Sequence, residues 1–195
     1  SKTVTESNDG LSTKYVVSLS KCTLDTPSLF VNSSILALSL NHCDLTSADF
    51  IADCTKLKYL DLSHNCINEL PECLSTLQEL EFLHVPDNKI STFHDVKFLS
   101  FDRLYGNSLC YINLQENPLG LLHNYRFHML KLLLTSKFYE DKASMMYESH
   151  VVALDNRIIS DEERYLVRLS MSEHADSIHH KIKSVENAVD VPAPT

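Results

Sequence analysis

Glycine and basic residues are scarce in this sequence, and long apolar segments are absent. The 195 residues include three glycines, too few for a nucleotide-binding enzyme whose phosphate loops depend on glycine. No apolar run reaches the roughly 18 residues of a membrane span, so we expect no membrane contact. Lysine and arginine number 17 against 26 acidic residues, a net charge of −9, which disfavours direct contact with a nucleic-acid backbone. These absences favour a soluble, acidic domain that is not an enzyme.

The apolar residues, 44% of the chain, are sufficient for a core and recur at a regular spacing. Four segments fit the pattern L-x-x-L-x-L-x-x-(N/C)-x-L, and they begin at Ile35, Leu57, Leu80 and Leu109, with spacings of 22, 23 and 29 residues. A weaker copy begins at Lys14, and a degenerate copy occupies residues 151–155. Self-similarity of this kind is typical of solenoid proteins.

The spacing within each repeat predicts how the units stack. The fourth and sixth positions point to the same side of a short strand, because strand side chains alternate. No single unit can bury that apolar side, so neighbouring units stack along one parallel sheet. The sequence therefore predicts an α/β solenoid with a short, curved parallel sheet on its concave side and helical or irregular convex segments. The 29-residue spacing predicts a longer convex segment around residues 98–107.

A second motif follows the last full repeat and predicts a cap. Its parts, in chain order, are Asn117-Pro118, Tyr125-Arg126, Met129-Leu130, Leu154-Asp155 and Ile159-Ser160 followed by Glu162-Glu163-Arg164. Over residues 14–165 the chain resembles the intracellular leucine-rich repeat proteins that end in such a C-terminal cap, a subset that includes a phosphatase-1 regulator, the spliceosomal A-prime protein and dynein light chain. The segment 137–149 departs from this family, since it lengthens a connection that is usually short.

The resemblance implies a function and a location. It implies a scaffold or adaptor that binds a protein through the concave face, in a ciliary, centrosomal or phosphatase-regulating assembly. The alternative that it implies is a nuclear ribonucleoprotein or mRNA-export component. Either implies an intracellular protein, cytoplasmic or cytoskeletal in the first case and nuclear in the second.

The rest of the chain suggests four parts. We expect a flexible tail at 1–13, the capped repeat domain at 14–160, a helix at 161–189 and a linker at 190–195. Ser160 and Glu163 form a capping-box pattern that starts a helix. An apolar stripe of Ile178, Ile182, Val185 and Val189 indicates that this helix docks on a partner, dimerises or links to the next domain. Because the chain begins at Ser1 rather than Met, we expect it to be part of a longer protein.

The six cysteines predict no disulfide framework. Cys22 and Cys43 occupy the inward ninth position of their repeats, so buried, reduced thiols are the favoured interpretation and indicate an intracellular protein.

The histidines suggest a metal site that we do not expect to exist. His42, His64 and His84 lie on neighbouring repeats, but their positions face solvent and no supporting residues are apparent. A triad of Ser39, His64 and Asp61 lacks the strained turn and oxyanion donors of a hydrolase. We therefore predict no metal, no cofactor and no catalytic residue.

The third position of the repeats carries the strongest functional signal. In chain order it holds Val16, Ala37, Tyr59, Phe82, Tyr111 and Ala153, and it faces outward on the concave side. Aromatic side chains on neighbouring strands stabilise a sheet by about 0.2–1 kcal/mol per pair, which is one explanation for them. The other is an interface, because contiguous exposed apolar patches mark binding sites.

Polar and acidic residues surround this stripe, as they do at protein-binding hot spots. We predict a partner that presents an apolar helix or loop flanked by lysine or arginine. The predicted partner-binding residues are Tyr59, Asp61, Phe82, His84, Asp87, Tyr111, Asn113 and Glu116.

Overall fold

A computed structural model of the chain describes residues 2–8, 13–21, 32–104, 107–134 and 150–171. The chain folds as two compact units, Ser1–Ile159 and Ser160–Thr195. The predicted insertion at 137–149, the stripe from Ile178 to Val189 and the linker at 190–195 lie outside the described residues. The predicted division into four parts therefore stays a prediction. Only the predicted N-terminal tail can be compared with the structure.

The first unit is built on one open sheet whose eight strands follow one another in chain order. The strands from β2 to β7 are parallel, and the outermost pair at each end is antiparallel. One short strand per repeat confirms the predicted parallel solenoid sheet. The strands are β1 Lys2–Asn8, β2 Thr13–Ser20, β3 Ile35–Asn41, β4 Tyr59–Asp61, β5 Phe82–His84, β6 Tyr111–Asn113, β7 Ala153–Leu154 and β8 Arg157–Ile158.

The register of the sheet places equivalent repeat positions side by side. Leu60 pairs with Leu83, and Leu83 pairs with Ile112. All three are fully buried, as are Leu62 and Val85 at the sixth position. The alternation of strand side chains thus gives each repeat one apolar side, and the stacked repeats form a continuous core.

The segments opposite the sheet are short helices. Residues Asp49–Asp53, Glu72–Thr76, Lys97–Leu99 and Pro118–Leu121 form 3₁₀ helices, each with one buried apolar side chain (Ile51, Leu74, Leu99 and Leu119). The longest repeat adds the α-helical turn α1, Phe101–Leu104, where a longer convex segment was predicted. The helix α2, Tyr125–Leu134, follows the last full repeat.

The prediction of a flexible tail at residues 1–13 is wrong for Lys2–Asn8. These residues form β1, which pairs along its length with β2, from Lys2 opposite Leu19 to Asn8 opposite Thr13. The side chains of Thr3–Glu6 are exposed, so this strand carries no hydrophobic alternation that a sequence pattern could reveal. It supplies backbone partners for the edge of β2, which would otherwise be open.

Asparagine at the ninth position satisfies the backbone where each repeat turns away from its strand. The carboxamide oxygen of Asn88 accepts the Ile67 N–H at 3.0 Å, and its nitrogen donates to the carbonyl oxygens of Leu62 and Val85 at 3.0 and 3.3 Å. Asn65 and Asn117 bond in the same way. All three are buried, so each side chain takes the place of water as the hydrogen-bond partner of backbone groups in two repeats.

The cap motif closes the C-terminal end of the sheet. The Tyr125 hydroxyl donates to Asp155 Oδ2 at 2.8 Å, while Asp155 Oδ1 accepts the Leu114 N–H at 2.7 Å. A guanidinium nitrogen of Arg126 donates to the Leu154 carbonyl at 3.0 Å. Asp155 and Asn156 have φ of 55° and 62°, as a tight hairpin turn requires. These contacts explain the spacing of the motif, since each residue ties α2 or the last repeat to the β7–β8 hairpin.

The second unit contributes a helix, α3, over residues 161–171. Its capping box is confirmed: the Ser160 N–H donates to Glu163 Oε2 at 3.1 Å and the Glu163 N–H donates to Ser160 Oγ at 3.2 Å. Tyr165, Leu166 and Leu169 of this helix are exposed. Among the described residues no helix is long and apolar enough to cross a membrane.

The prediction of buried, reduced thiols holds for some of the cysteines. None of the five described cysteines forms a disulfide, and Cys22 lies outside the described residues. Cys43 and Cys54 are buried, but Cys66 is exposed because it occupies the tenth position, which faces solvent. Burial raises the pKa of Cys54 to about 11. Cys54 therefore stays protonated at neutral pH.

Candidate protein-binding surface

Three aromatic side chains lie side by side on the exposed face of the sheet. Tyr59 pairs with Phe82, and Phe82 pairs with Tyr111. The ring centroids are 6.3 Å apart for the first pair and 5.9 Å for the second. The tyrosines are half-buried and Phe82 is 38% exposed. The predicted stripe at the third position therefore exists, and it faces away from the leucine core.

His84 fills the space between the two tyrosines. Its ring centroid lies 5.5 Å from that of Tyr59 and 5.0 Å from that of Tyr111, with a stacked geometry in the second pair. The sequence predicted His84 beside the stripe, but the structure makes it part of an aromatic cluster of four rings: Tyr59, Phe82, His84 and Tyr111. Burial lowers the pKa of His84, against the opposing effect of Asp61. At neutral pH the ring is therefore uncharged and adds to the apolar surface.

Asp61 borders this aromatic cluster with a carboxylate that is held in place. Its Oδ2 accepts the Ser39 hydroxyl at 2.9 Å, and its Oδ1 accepts the Ser63 N–H at 2.9 Å as well as the Ser63 hydroxyl. Burial alone would raise the pKa of Asp61, but the bonds from Ser63 and Ser39 and the nearby His84 lower it below its ordinary value. The site therefore keeps a negative charge next to the aromatic rings.

The eighth position of each repeat forms a second column, at the edge of the sheet where the strands end. We call it the edge column. It consists of Lys21, His42, His64, Asp87 and Glu116, whose φ values run from 51° to 58°. This left-handed conformation is costly for residues with a Cβ, and it recurs because every repeat turns sharply here.

Contacts within the edge column fix some of its side chains. The rings of His42 and His64 stack with centroids 4.2 Å apart and an interplanar angle of 2°. His64 Nδ1 lies 2.7 Å from Asp87 Oδ2. In the described part of the chain no lysine or arginine forms an ion pair with Asp87 or Glu116. Both acids are exposed and add negative potential along this edge.

The prediction that Asn113 lies on an exposed rim is wrong. Its side chain is 6% exposed, because it folds back and its Oδ1 accepts the Gln115 N–H at 3.0 Å. The other predicted site residues are accessible to different degrees. Asp61, Tyr59, Phe82, His84 and Tyr111 form one contiguous group, and Asp87 and Glu116 lie in the edge column.

Two residues next to the cluster escaped the sequence prediction. Ile158 of β8 pairs with Ala153 of β7, which continues the third-position row, and Ile158 is 72% exposed. The Tyr111 hydroxyl donates to Asn156 Oδ1, and Asn156 Nδ2 donates to Gln115 Oε1 at 2.6 Å. The hairpin-forming pair Asp155-Asn156 was the available signal, because a two-residue turn sets the register of both strands.

Two other groupings of polar side chains do not form among the described residues. His64 bonds Asp87 rather than Asp61, so Ser39, His64 and Asp61 do not assemble as a triad. Within residues 2–8, 13–21, 32–104, 107–134 and 150–171, no group of three or more histidine, cysteine or acidic side chains could hold a metal ion.

Comparison with known proteins agrees with this architecture. Residues 32–90 match the family described as "Leucine rich repeat". A chain of the crystal structure of the Drosophila melanogaster SNF/U2A′ complex superposes with a TM-score of 0.60 at 18% identity, covering 86% of this chain and 88% of that one. The fold is a leucine-rich repeat solenoid.

Curated relatives match shorter stretches. Leucine-rich repeat protein 1 of Mus musculus is 42% identical over 57 residues, which are 29% of this chain and 14% of that protein. Geranylgeranyl transferase type-2 subunit alpha of Sus scrofa is 31% identical, and the match covers 52% of this chain and 21% of that subunit. The chain thus spans about a fifth or less of the length of these curated relatives.

Proposed function

We propose that this chain is a non-catalytic protein-binding module, a scaffold or adaptor, that binds its partner through the exposed face of the repeat sheet. One observation carries the proposal: four rings on three neighbouring strands form a contiguous apolar surface in solvent, with Phe82 38% exposed at its centre. Contiguous exposed aromatic surface with a polar surround is the usual composition of a binding hot spot.

Sheet stabilisation alone is a weaker explanation for these rings. The core beneath them is complete, because Leu60, Leu83 and Ile112 are fully buried on the opposite side of the same strands. Cross-strand aromatic contact adds about 0.2–1 kcal/mol per pair, which smaller β-branched side chains would also supply in part. A partner that covers the rings would gain the burial that the free domain lacks.

The charges around the cluster suggest the chemistry of the partner. The Asp61 carboxylate is kept ionised by the bonds from Ser39 and Ser63, and Asp87 and Glu116 are exposed in the edge column. A partner with an apolar helix or loop for the rings and lysine or arginine beside it would match both features. The same charges would repel nucleic acid from this face.

Site-specific photo-crosslinking tests the proposal. A benzophenone amino acid at position 82 should give a discrete adduct with a partner protein in extracts of the source cells, and excess unlabelled chain should compete it away. Leu121, which is 89% exposed in the Pro118–Leu121 helix, is the matched control position and should give no such adduct. Equal labelling from positions 82 and 121 would contradict the proposal.

The assembly and the location remain part of the proposal. The lack of a disulfide at the five described cysteines supports an intracellular protein, since disulfides are rare in reducing compartments. Ciliary, centrosomal and phosphatase-regulating assemblies, and the nuclear ribonucleoprotein alternative, stay predictions. Filter binding to RNA over a range of salt concentrations separates the last from the others, because tight, salt-sensitive binding by this chain would favour the ribonucleoprotein.

A second candidate comes from the relatives. The 31% identity to geranylgeranyl transferase type-2 subunit alpha over 52% of the chain favours a repeat domain within a transferase subunit, where it would bind protein rather than perform the chemistry. Assaying geranylgeranyl transfer by the full-length protein of the same gene and by this chain, each mixed with the other subunit of a geranylgeranyl transferase, tests this candidate. Transfer by the mixture with the full-length protein only would support it, and transfer by neither mixture would contradict it.

A further inference from the structure

The first strand of the sheet, β1, leaves one of its edges open. It spans Lys2–Asn8, lies at the end of the strand order and pairs with β2 without a shift in register. It contains no proline and no bulge, two of the features that protect edge strands from pairing with other chains. The strand at the opposite end, β8, spans two residues, Arg157–Ile158. The outer edge of β1 is therefore the longer template for another strand.

The hydrogen bonds of β2 show which of its residues face β1. The Tyr15 N–H donates to the Ser34 carbonyl oxygen at 3.0 Å, and the Lys21 N–H donates to the Asn41 carbonyl oxygen at 3.3 Å. Both acceptors lie at or next to the ends of β3. The backbone groups of successive residues in a strand point to opposite edges. The odd-numbered residues of β2 therefore face β3, and the even-numbered residues face β1.

The register between β1 and β2 then defines the open edge. Thr3 and Thr5 lie opposite even-numbered residues of β2, whereas Lys2, Val4 and Glu6 lie opposite odd-numbered residues. The backbone N–H and C=O groups of Thr3 and Thr5 therefore point at β2, and those of Lys2, Val4 and Glu6 point out of the sheet. Outward groups of this kind can pair with the backbone of another strand.

The sequence of β1 is complementary to itself around Val4. When two copies pair in antiparallel fashion about this residue, Val4 lies opposite Val4, Thr3 opposite Thr5 and Lys2 opposite Glu6. Threonine pairs and pairs of opposite charge are among those that stabilise antiparallel strands. The backbone fits the same register, because Lys2, Val4 and Glu6 point outward and would meet in the positions that exchange both hydrogen bonds.

The exposure of Val4 is an independent observation in favour of such a pair. Val4 lies opposite Val17, and residues directly opposite one another in an antiparallel pair share a face of the sheet. Val17 is 6% exposed and belongs to the core, but Val4 is 49% exposed. Val4 is therefore an apolar side chain on the core side that is only half covered. Val4 of a second copy would cover it and extend the core.

We propose that two copies of this chain dimerise through the outer edges of their β1 strands, as an antiparallel pair centred on Val4. The pair joins two eight-stranded sheets into one and is held by about six backbone hydrogen bonds. The contact is small, so the dimer is weak and reversible, with a dissociation constant of about 10–100 µM. Its two-fold axis is perpendicular to the sheet, which leaves both aromatic clusters on the same open face. The dimer does not depend on the proposed function.

Charge reversal tests the register of the pair. Sedimentation velocity of the 195-residue chain between about 5 and 500 µM should show a shift from one copy to two. Lys2→Glu and Glu6→Lys each set like charges opposite one another and should weaken dimerisation about tenfold or more. An equimolar mixture of the two variants restores opposite charges and should dimerise within about threefold of the wild-type affinity. Lys89→Glu, at an exposed residue outside β1, is the matched control and should change nothing.

Amide hydrogen exchange, resolved to single residues by mass spectrometry, locates the contact. The Thr3 and Thr5 amides should be protected at every concentration and in every variant, which verifies that β1 is folded. The Val4 and Glu6 amides should exchange rapidly at about 5 µM, where the chain is a single copy, and about threefold more slowly or less at about 500 µM. Lys2→Glu should abolish this dependence on concentration.

Three results would overturn the proposal. The first is a chain that remains a single copy at about 500 µM. The second is a dimer that neither Lys2→Glu nor Glu6→Lys weakens, because its contact then lies elsewhere, and the third is a mixture of the two variants that fails to dimerise. The proposed function is unaffected by any of them, since crosslinking from position 82 tests it separately.

Discussion

At the scale of single residues, neighbours in the chain have opposite roles. Phe82 and Leu83 are adjacent in β5, yet the first is 38% exposed and the second is fully buried. Strand alternation alone produces this difference. Substitution of Leu83 should therefore mainly reduce stability, and substitution of Phe82 should mainly reduce binding.

Leu83→Ala is expected to lower the free energy of unfolding by about 2–5 kcal/mol, because it leaves a cavity in the core. Phe82→Ala should cost less than about 2 kcal/mol, since it removes two cross-strand ring contacts, with Tyr59 and with Tyr111, at about 0.2–1 kcal/mol each. Urea denaturation of both variants measures the difference. Equal losses would mean that the Phe82 ring is a core residue, contrary to the site described above.

The buried asparagines offer a second test at this scale. Asn88→Ala would leave the Ile67 N–H and carbonyl oxygens of two repeats without their partner, at a cost of about 1–3 kcal/mol. Lys89→Ala, at the next and exposed residue, is the matched control and should change the free energy of unfolding little. No loss in Asn88→Ala would show that water replaces the carboxamide.

The pH dependence of the free energy of unfolding should reveal the protonation of His84. Burial lowers the pKa of His84 in the folded chain below its ordinary value of 6.5, against the opposing effect of Asp61, so the unfolded chain binds the proton more readily. Its contribution to stability is then complete above pH 6.5 and is lost as the pH falls through the folded-state pKa. Urea denaturation between about pH 7.5 and pH 5 should show a loss in the wild-type chain that is smaller in His84→Gln. Identical pH profiles would contradict this assignment.

At the scale of elements, the repeat pattern predicts the parallel strands and their register. The spacing of the leucines fixes which residues face the core, so Tyr59, Phe82 and Tyr111 had to lie next to one another. Elements without a buried side chain gave no such pattern. The strand β1 has both faces in solvent where its side chains are described, and β8 consists of the two exposed residues Arg157–Ile158.

Tertiary contacts also decided details of the site that no spacing could reveal. Asn113 occupies an outward position of its strand but folds back onto the Gln115 N–H. His84 was expected beside the aromatic stripe, and its place between Tyr59 and Tyr111 depends on ring geometry. The sequence thus predicted the aromatic residues at the third position, but not the side-chain conformations of Asn113 and His84 next to them.

Hydrogen exchange tests β1, which the sequence predicted to be a flexible tail. Because β1 pairs with β2 from Lys2 to Asn8, every second amide of β1 should point at β2 and exchange at least about tenfold more slowly than in an unstructured peptide. The remaining amides of β1 face away and should exchange rapidly. Uniformly rapid exchange across residues 2–8 would restore the prediction of a flexible tail.

At the scale of the whole molecule, the repeat sheet buries one face in the leucine core and leaves the other face open. An antiparallel strand follows the parallel strands at each end, so β1 and β8 are the outermost strands of the sheet. The exposed face between them carries the aromatic rings, the ionised Asp61 and the acidic end of the edge column. This open apolar face suits recognition by the side chains of a partner.

The most direct test of the binding surface uses the partner identified by crosslinking from position 82. Isothermal titration calorimetry would compare its affinity for the wild-type chain, for Tyr59→Ser/Phe82→Ser and for the control Leu121→Ser/Leu122→Ser, whose residues are exposed outside the aromatic cluster. The cluster variant should bind roughly a hundredfold more weakly or worse, as expected for two hot-spot residues, and the control should bind like the wild type. Equal affinity of all three chains would contradict the account.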